Sequence, residues 1–335
     1  MDVSPIIWVA FVGFVLLMLT MDLFVFHRDA HAVSAREAAI WTAIWMSMGI
    51  GFTFVIWFWQ GGTFAGEYIA GYLLEYSLSA DNIFVFVLIF SYFTVPADVQ
   101  HRVLFWGILG ALVFRAAFIL AGAALLDRFH FMFYVFGAFL IFTGVRMATH
   151  GEVEVHPERN FVLRLARRLY PMTAGYRGQS FFVNEAVGTG KDPSRIRRMA
   201  TPLLAVLIVV ETTDIIFAVD SIPAIFGVTD EPFLVFTSNA FAIMGLRALY
   251  FLLANMMSRF EYLQVGLAAI LVFIGIKMVL EALPHDFVLH LEVPIWASLG
   301  FIVLSLTTAV VFSLRRETKA EPPAPAGHPE DDASG

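Results

Sequence analysis

The chain has 335 residues, of which 59% are hydrophobic and only 15% are charged, and its formal net charge is −7. A soluble domain carries about 25% charged residues, so this composition excludes an ordinary soluble protein and predicts a polytopic membrane protein. The chain contains no cysteine, which excludes disulfides, thiolate metal sites and a cysteine nucleophile.

Nine apolar runs are long enough to cross a membrane core, which takes about 20 residues of helix. The expected spans lie at 5–26, 37–59, 66–94, 102–125, 130–149, 201–228, 233–255, 262–283 and 292–314. The first run lacks a basic start and a small-residue cleavage site, so we expect it to remain as a helix.

The distribution of Lys and Arg predicts the orientation. The loop at 151–200 is rich in arginine, and the positive-inside rule places it in the cytoplasm. Alternation from this loop puts the N-terminus outside and the C-terminus inside the inner membrane of the cell.

Two segments of this loop have recognisable patterns. Residues 158–170 resemble an amphipathic helix on the anionic inner leaflet, and an ordinary surface helix explains the pattern equally well. The stretch SFFVNEAVGTGK predicts a small hairpin.

Three motifs in the first half recur in the second half. ADNIF (80–84) resembles TDIIF (213–217), RAAFIL (115–120) resembles RALYFL (247–252), and FTGVRM (142–147) resembles FIGIKM (273–278). The offsets of 133, 132 and 131 residues place all three matches in one register. Each unit has three spans, so the second unit starts on the opposite side of the membrane. Such inverted repeats are typical of transporters, whose substrate sites lie near the bilayer midplane.

The predicted fold class is an all-α polytopic membrane protein of about nine transmembrane helices, with two inverted three-helix repeats whose first helices are broken. The run 66–94 is too long for one straight crossing, and Pro223 removes a backbone hydrogen bond in the equivalent helix. The predicted organisation is two accessory transmembrane helices at 1–60, repeat 1 at 61–150, a cytoplasmic basic loop at 151–200, repeat 2 at 201–284, the last transmembrane helix at 285–315, and a disordered cytoplasmic tail at 316–335.

The first helices of the two repeats carry several acids, each costing about 2.5–3.5 kcal/mol at the centre of a membrane. A bound cation would offset this cost. The candidate metal ligands are Glu75, Asp81, Asn82, Glu211, Asp214, Asp220 and Ser221. Such oxygen ligands suit Mg²⁺, Ca²⁺ or Mn²⁺. Asp214 and Asp220 are six residues apart, so an unwound stretch near 218–222 is needed to bring both to one cavity.

Arg115 and Arg247 occupy equivalent positions in the two repeats. We interpret them as charge-balancing residues that hold the acids apart or take the place of the ion when it leaves. The alternative is that they form purely structural ion pairs with Asp81 and Asp214. Asp22 is expected at the membrane interface, and a role in a second site is the alternative.

Two longer stretches carry a family resemblance. EYSLSADNIFVF and ETTDIIFAVDSIPAIFG closely resemble the two signature stretches of the TerC family. This family of integral membrane proteins is named for tellurite resistance, includes the Alx-type manganese exporters and is similar to LysE-type exporters. The resemblance implies nine spans, a two-repeat core, and export of Mn²⁺ through the acids named above, with Asn82 and Ser221 beside them. The basic turn before ATPL is longer than the family hairpin.

The expected function is export of a divalent metal ion, with Mn²⁺ as substrate, Ca²⁺ as the second choice and protons as the counter-ion. We expect no enzymatic activity, no permanently bound cofactor and no nucleic-acid partner, and the sequence identifies no protein partner. Two alternatives stay open: a non-transporting scaffold or Ca²⁺-binding protein in metal or tellurite stress, and, with less support, an intramembrane metalloenzyme. Excess negative charge disfavours an oxyanion exporter.

Overall fold

The computed structural model describes residues 1, 3–22, 34–150, 160–186, 196–254, 262–283 and 293–317. The helices are α1 (Pro5–Met21), α2 (Ala35–Gln60), α3 (Gly62–Tyr92), α4 (Ala97–Arg128), α5 (Met132–His150), α6 (Phe161–Leu169), α7 (Pro202–Phe226), α8 (Pro232–Met244), α9 (Leu246–Leu253), α10 (Leu263–Ala282) and α11 (Ile295–Glu317). Two short strands, β1 (Phe182–Ala186) and β2 (Ile196–Ala200), form an antiparallel hairpin. The structure therefore confirms a predominantly helical polytopic membrane protein.

The number of membrane spans depends on how two elements are counted. Seven of the described helices are long and apolar enough to cross a membrane, and α8 with α9 makes an eighth if this bent pair is one span. Helix α1 has 17 residues, and positions 23–26 of its predicted span lie outside the described residues. Nine spans therefore stay a prediction.

The predicted breaks in the first helices of the repeats are wrong, because α3 and α7 are both continuous. Pro223 lies in the last turn of α7, where a lost hydrogen bond interrupts little of the helix. The 31 residues of α3 extend about 46 Å, a length that tilt or protruding ends can accommodate. A bend of 43° occurs instead between α8 and α9, at Gly245.

Helix α3 lies at the centre of the bundle. It packs against α2, α7, α8, α9, α10 and α11. Tyr72 and Phe86 of α3 belong to one apolar core, and Leu74 and Leu78 belong to another. The helix therefore joins two groups of helices, and a polar side chain on it is screened from lipid.

Glycines bring α4 and α7 close together. A Cβ atom at Gly107 would lie 3.2 Å from Val210, and one at Gly122 would lie 2.9 Å from Phe226. The residue numbers increase together along both helices, so α4 and α7 run parallel. Small residues allow such close approach, which is a principal source of helix association in membranes.

Helices α5 and α10 form a second close pair. A Cβ atom at Gly137 would lie 2.8 Å from the carbonyl oxygen of Gly275, and one at Gly144 would lie 2.8 Å from that of Ala268. Here the numbers change in opposite directions, so the two helices run antiparallel.

The predicted features of the loop at 151–200 are partly visible. Helix α6 falls within the predicted amphipathic segment, and the side chain of Asn160 caps it by accepting a hydrogen bond from the Leu163 backbone. The predicted hairpin is confirmed, with Phe182 opposite Ala200. Its basic turn, and the tail from residue 318 onward, lie outside the described residues.

The α5–α10 contact makes a prediction about stability. Gly275→Ala places a Cβ atom 2.6 Å from the carbonyl oxygen of Gly137, so the two helix backbones must separate. Overpacking of this kind costs about 1–3 kcal/mol. We expect a lower thermal unfolding midpoint for the purified protein in detergent.

Gly13→Ala is the matched control, because a Cβ atom there meets nothing within 4 Å and alanine favours the helix. The control should unfold at or above the wild-type temperature. Equal midpoints for the two variants would contradict the described packing.

Candidate functional site

The guanidinium of Arg115 lies between two buried carboxylates. Its Nη1 donates to Glu75 Oε2 at 2.6 Å, and its Nη2 and Nε donate to the two oxygens of Asp214 at 3.3 and 3.5 Å. Arg115, Glu75 and Asp214 are 2%, 0% and 3% exposed, respectively. These ion pairs join α4, α3 and α7 in the interior of the bundle.

The continuous α7 determines which of its side chains reach this arginine. Asp214 and Ser221 are seven residues apart, or about two helical turns, and therefore share a face. Arg115 Nη1 also donates to Ser221 Oγ at 3.4 Å. Three of the predicted site residues, Glu75, Asp214 and Ser221, thus surround Arg115.

The cluster has more acceptor capacity than Arg115 uses. Glu75 Oε1 is buried and has no hydrogen-bond partner among the described residues, and neither has the buried Ser79 Oγ one turn further along α3. A buried carboxylate oxygen without a partner is costly. Two carboxylates on one guanidinium also leave a formal charge of −1. Both features favour a cation at this position.

Glu211 approaches the same region from the preceding turn of α7. It is three residues before Asp214 and shares its face. A Cβ atom at Gly110 would lie 2.0 Å from Glu211 Oε1, so this glycine provides the space for the carboxylate. Glu211 Oε2 is buried and accepts no hydrogen bond from the part of the chain that the structure describes.

Asp220 is separated from this cluster. Its Oδ1 accepts a hydrogen bond from Thr143 Oγ1 on α5 at 3.5 Å. On a continuous helix a six-residue spacing turns a side chain by about 120°, so Asp220 faces away from Arg115. The unwound stretch expected near 218–222 is absent, and the structure does not bring Asp220 to Asp214.

The remaining predicted residues lie elsewhere around the bundle. Asn82 is buried on α3, and Asp81 beside it is partly buried. Arg247 on α9 forms a buried ion pair with Asp22 at the end of α1. Asp22 is 5% exposed and packs against the bundle, and its expected position at the membrane interface stays a prediction.

The described residues contain no group of three or more His, Asp or Glu side chains arranged as metal ligands. Arg115 accounts for this at the central cluster, because its positive charge occupies the space between Glu75 and Asp214. The roles of the seven predicted ligands and of both arginines therefore stay predictions.

Two further residues, Gly110 and Thr143, shape the site and were not among those predicted from the sequence. Gly110 has no motif to mark it, and its contact with Glu211 depends on the pairing of α4 with α7. Thr143 belongs to the repeated motif FTGVRM, which is the signal that could have identified it. Its position opposite Asp220 follows from the packing of α5 on α7.

Comparison with known proteins identifies the family. A model of the TerC integral membrane protein family matches residues 60–321. The chain belongs to the TerC family. The relation predicted from the two signature stretches is thereby confirmed, and these stretches supply Glu75 and Asp214.

Related proteins cover most of this TerC chain. It is 49% identical over 318 residues to an uncharacterized membrane protein of Myxococcus xanthus. The aligned part covers 95% of this chain and 94% of that protein. The chain is 44% identical over 308 residues to a proposed membrane-bound redox modulator called Alx from Escherichia coli K12, with 89% and 91% covered. It is 43% identical over 293 residues to the chloroplast thylakoid membrane protein TERC of Arabidopsis thaliana, with 87% and 71% covered. No solved structure matches the chain.

The Arg115 cluster makes a second prediction about stability. Arg115→Met leaves two buried carboxylates without their counter-charge, and breaking a buried pair in this way costs about 3–5 kcal/mol. We expect a large fall in the thermal midpoint of the purified protein.

The triple variant Arg115→Met, Glu75→Gln, Asp214→Asn removes all three charges and should recover much of the loss. This coupling is the signature of residues in contact. A triple variant that is as unstable as the sum of its single substitutions would contradict the cluster.

Proposed function

We propose that this TerC protein exports a divalent metal ion, with Mn²⁺ as the first choice, from the cytoplasm across the inner membrane. The observation that carries the proposal is the buried cluster in which Arg115 holds Glu75 and Asp214. An arginine lies between two carboxylates, with a third carboxylate at Glu211. This arrangement is expected of a cation site in which the transported ion displaces the arginine side chain.

The ligand chemistry supports a hard divalent cation. The groups around Arg115 are carboxylates and the Ser221 hydroxyl, and Ser79 adds a buried hydroxyl nearby. Oxygen ligands of this kind suit Mn²⁺, Mg²⁺ or Ca²⁺, and the absence of cysteine removes the thiolate ligands that Cu⁺ prefers.

The α5–α10 contact supports the inverted repeat. In the repeat register of 131 residues, Gly137 is equivalent to Ala268 and Gly144 to Gly275. The observed contacts pair Gly137 with Gly275 and Gly144 with Ala268. Replacing each residue of one contact by its repeat equivalent therefore gives the other contact. A two-fold axis between the repeats produces this exchange, and it is the symmetry on which alternating access by inverted repeats rests.

Export needs a driving force. A membrane potential that is negative inside opposes cation export by about 2.3 kcal/mol per charge per 100 mV. We propose proton antiport, in which protonation of the acids from outside releases the metal. Arg115 then returns to Glu75 and Asp214, so the empty site moves back without isolated buried charges.

Mn²⁺ flux into inside-out proteoliposomes of purified protein tests this proposal. Asp214→Asn should abolish flux, since it removes a ligand and weakens the hold on Arg115. Glu185→Gln is the matched control, because Glu185 is a partly exposed acid that pairs with Arg177 on the hairpin, and it should transport normally. A pH-sensitive dye in the vesicles should report proton movement that accompanies the metal.

Two results would contradict the proposal. Normal flux in Asp214→Asn would remove the acids from the pathway. No flux of Mn²⁺, Ca²⁺ or Mg²⁺ in folded, correctly inserted wild-type protein would favour the scaffold.

Glycine substitutions in α4 provide a second test. Gly110→Ala forces the Glu211 carboxylate out of its position, and we expect Mn²⁺ flux to fall at least about tenfold if this group binds the ion. At Gly107, one turn away, a Cβ atom meets only a methyl group of Val210 at 3.2 Å. Gly107→Ala should therefore retain most of the flux. Equal activity of the two variants would exclude Glu211 from the transport path.

A further inference from the structure

Helix α6 presents an apolar face that the rest of the chain does not cover. Phe161, Val162 and Leu165 are 70%, 44% and 44% exposed. At 100° per residue these three side chains fall within an arc of about 100° on the helix. Leu163, by contrast, is buried in the main apolar core, so α6 is attached to the bundle by a different side.

The polar side of α6 is strongly basic. Arg164, Arg167 and Arg168 are exposed and lie in an arc of about 100° whose centre is about 120° from the centre of the apolar face. The neighbouring hairpin region adds Arg177, Arg197 and Arg198. Within residues 160–186 and 196–200 there are six arginines and one acid, Glu185, which pairs with Arg177.

The position of α6 places this face beside the bilayer. Asn160, at the start of α6, donates from Nδ2 to Thr212 Oγ1 at 2.6 Å, halfway along α7. Met172, just after α6, pairs with Ala200, just before α7. Helix α6 therefore lies alongside the first half of a membrane-spanning helix and runs antiparallel to it.

We propose that α6, which runs along α7 with its N-terminal end deeper than its C-terminal end, binds anionic phospholipid of the bilayer. Phe161, Val162 and Leu165 enter the boundary between headgroups and acyl chains, and Arg164, Arg167 and Arg168 contact the phosphate groups. An apolar face combined with a separate basic face is the arrangement by which amphipathic helices bind anionic membranes, and juxtamembrane arginines add electrostatic attraction to the anionic surface. Neutral lipid can contact the apolar face, but it offers no net negative charge to the arginines.

The Asn160–Thr212 hydrogen bond connects α6 to the helix that carries part of the candidate site. Thr212 is adjacent to Glu211 on α7. A single hydrogen bond therefore connects the start of the lipid-binding helix α6 to the helix that carries Glu211 and Asp214. The lipid-binding inference itself does not depend on what the site transports.

The absence of cysteine from the chain allows a specific test. Val162→Cys is labelled with an environment-sensitive fluorophore, and the full-length protein is reconstituted with brominated phospholipids that quench fluorescence near acyl chains. Ile196→Cys is the matched control, since Ile196 is an apolar residue with 74% exposure on the hairpin. The membranes are phosphatidylcholine alone, or phosphatidylcholine mixed with phosphatidylglycerol.

In the mixed membranes we expect quenching at position 162 to be at least about threefold stronger than at position 196. It should weaken in phosphatidylcholine alone, and replacing Arg164, Arg167 and Arg168 by glutamine should reduce the mixed-membrane value to that level. Quenching at 162 no stronger than at 196 would overturn the proposal. Equal quenching at 162 with and without phosphatidylglycerol would overturn it as well.

Discussion

A guanidinium buried among membrane helices must find its counter-charges where it lies, because no water can replace them. Arg115 satisfies this requirement with Glu75 and Asp214, and in doing so it fixes how α3, α4 and α7 meet. The glycines of α4 that admit Val210 and Glu211 are needed for the same reason, since a wider separation of α4 from α7 would pull the arginine from Asp214. The ion pairs of the site therefore depend on the close packing of the central helices, and the packing depends on the ion pairs.

The same ion pairs suggest how a charged site can be emptied. A cation that leaves two buried carboxylates creates a large electrostatic cost unless another positive charge replaces it. Arg115 already occupies that position, with Glu75 Oε1 unused beside it. Under the proposed function, Arg115 replaces the cargo at every cycle, and proton uptake by Glu211 or its neighbours completes the charge balance.

Part of this arrangement could be predicted from the sequence. Hydropathy located each apolar helix, and Glu75, Asp214 and Arg115 were among the predicted site residues. That Arg115 binds Glu75 and Asp214 together was not predicted. Helical spacing on a continuous α7 would also have separated Asp220 from Asp214, but the assumed break at Pro223 concealed this. The partner of Arg247 could not be predicted, because Asp22 lies 225 residues away in the chain and its approach depends on the docking of α1. The role of Gly110 likewise depends on which helix faces it.

The most direct test of the account is a pair of electron cryomicroscopy maps of the protein in lipid, one recorded with a chelator and one with saturating Mn²⁺. In the chelated protein, Arg115 should bridge Glu75 and Asp214. With Mn²⁺, metal density should be bonded to these two carboxylates and the arginine side chain should have moved away. Arg115 still bonded to both acids, with no metal density beside them at an Mn²⁺ concentration that supports flux, would contradict the account.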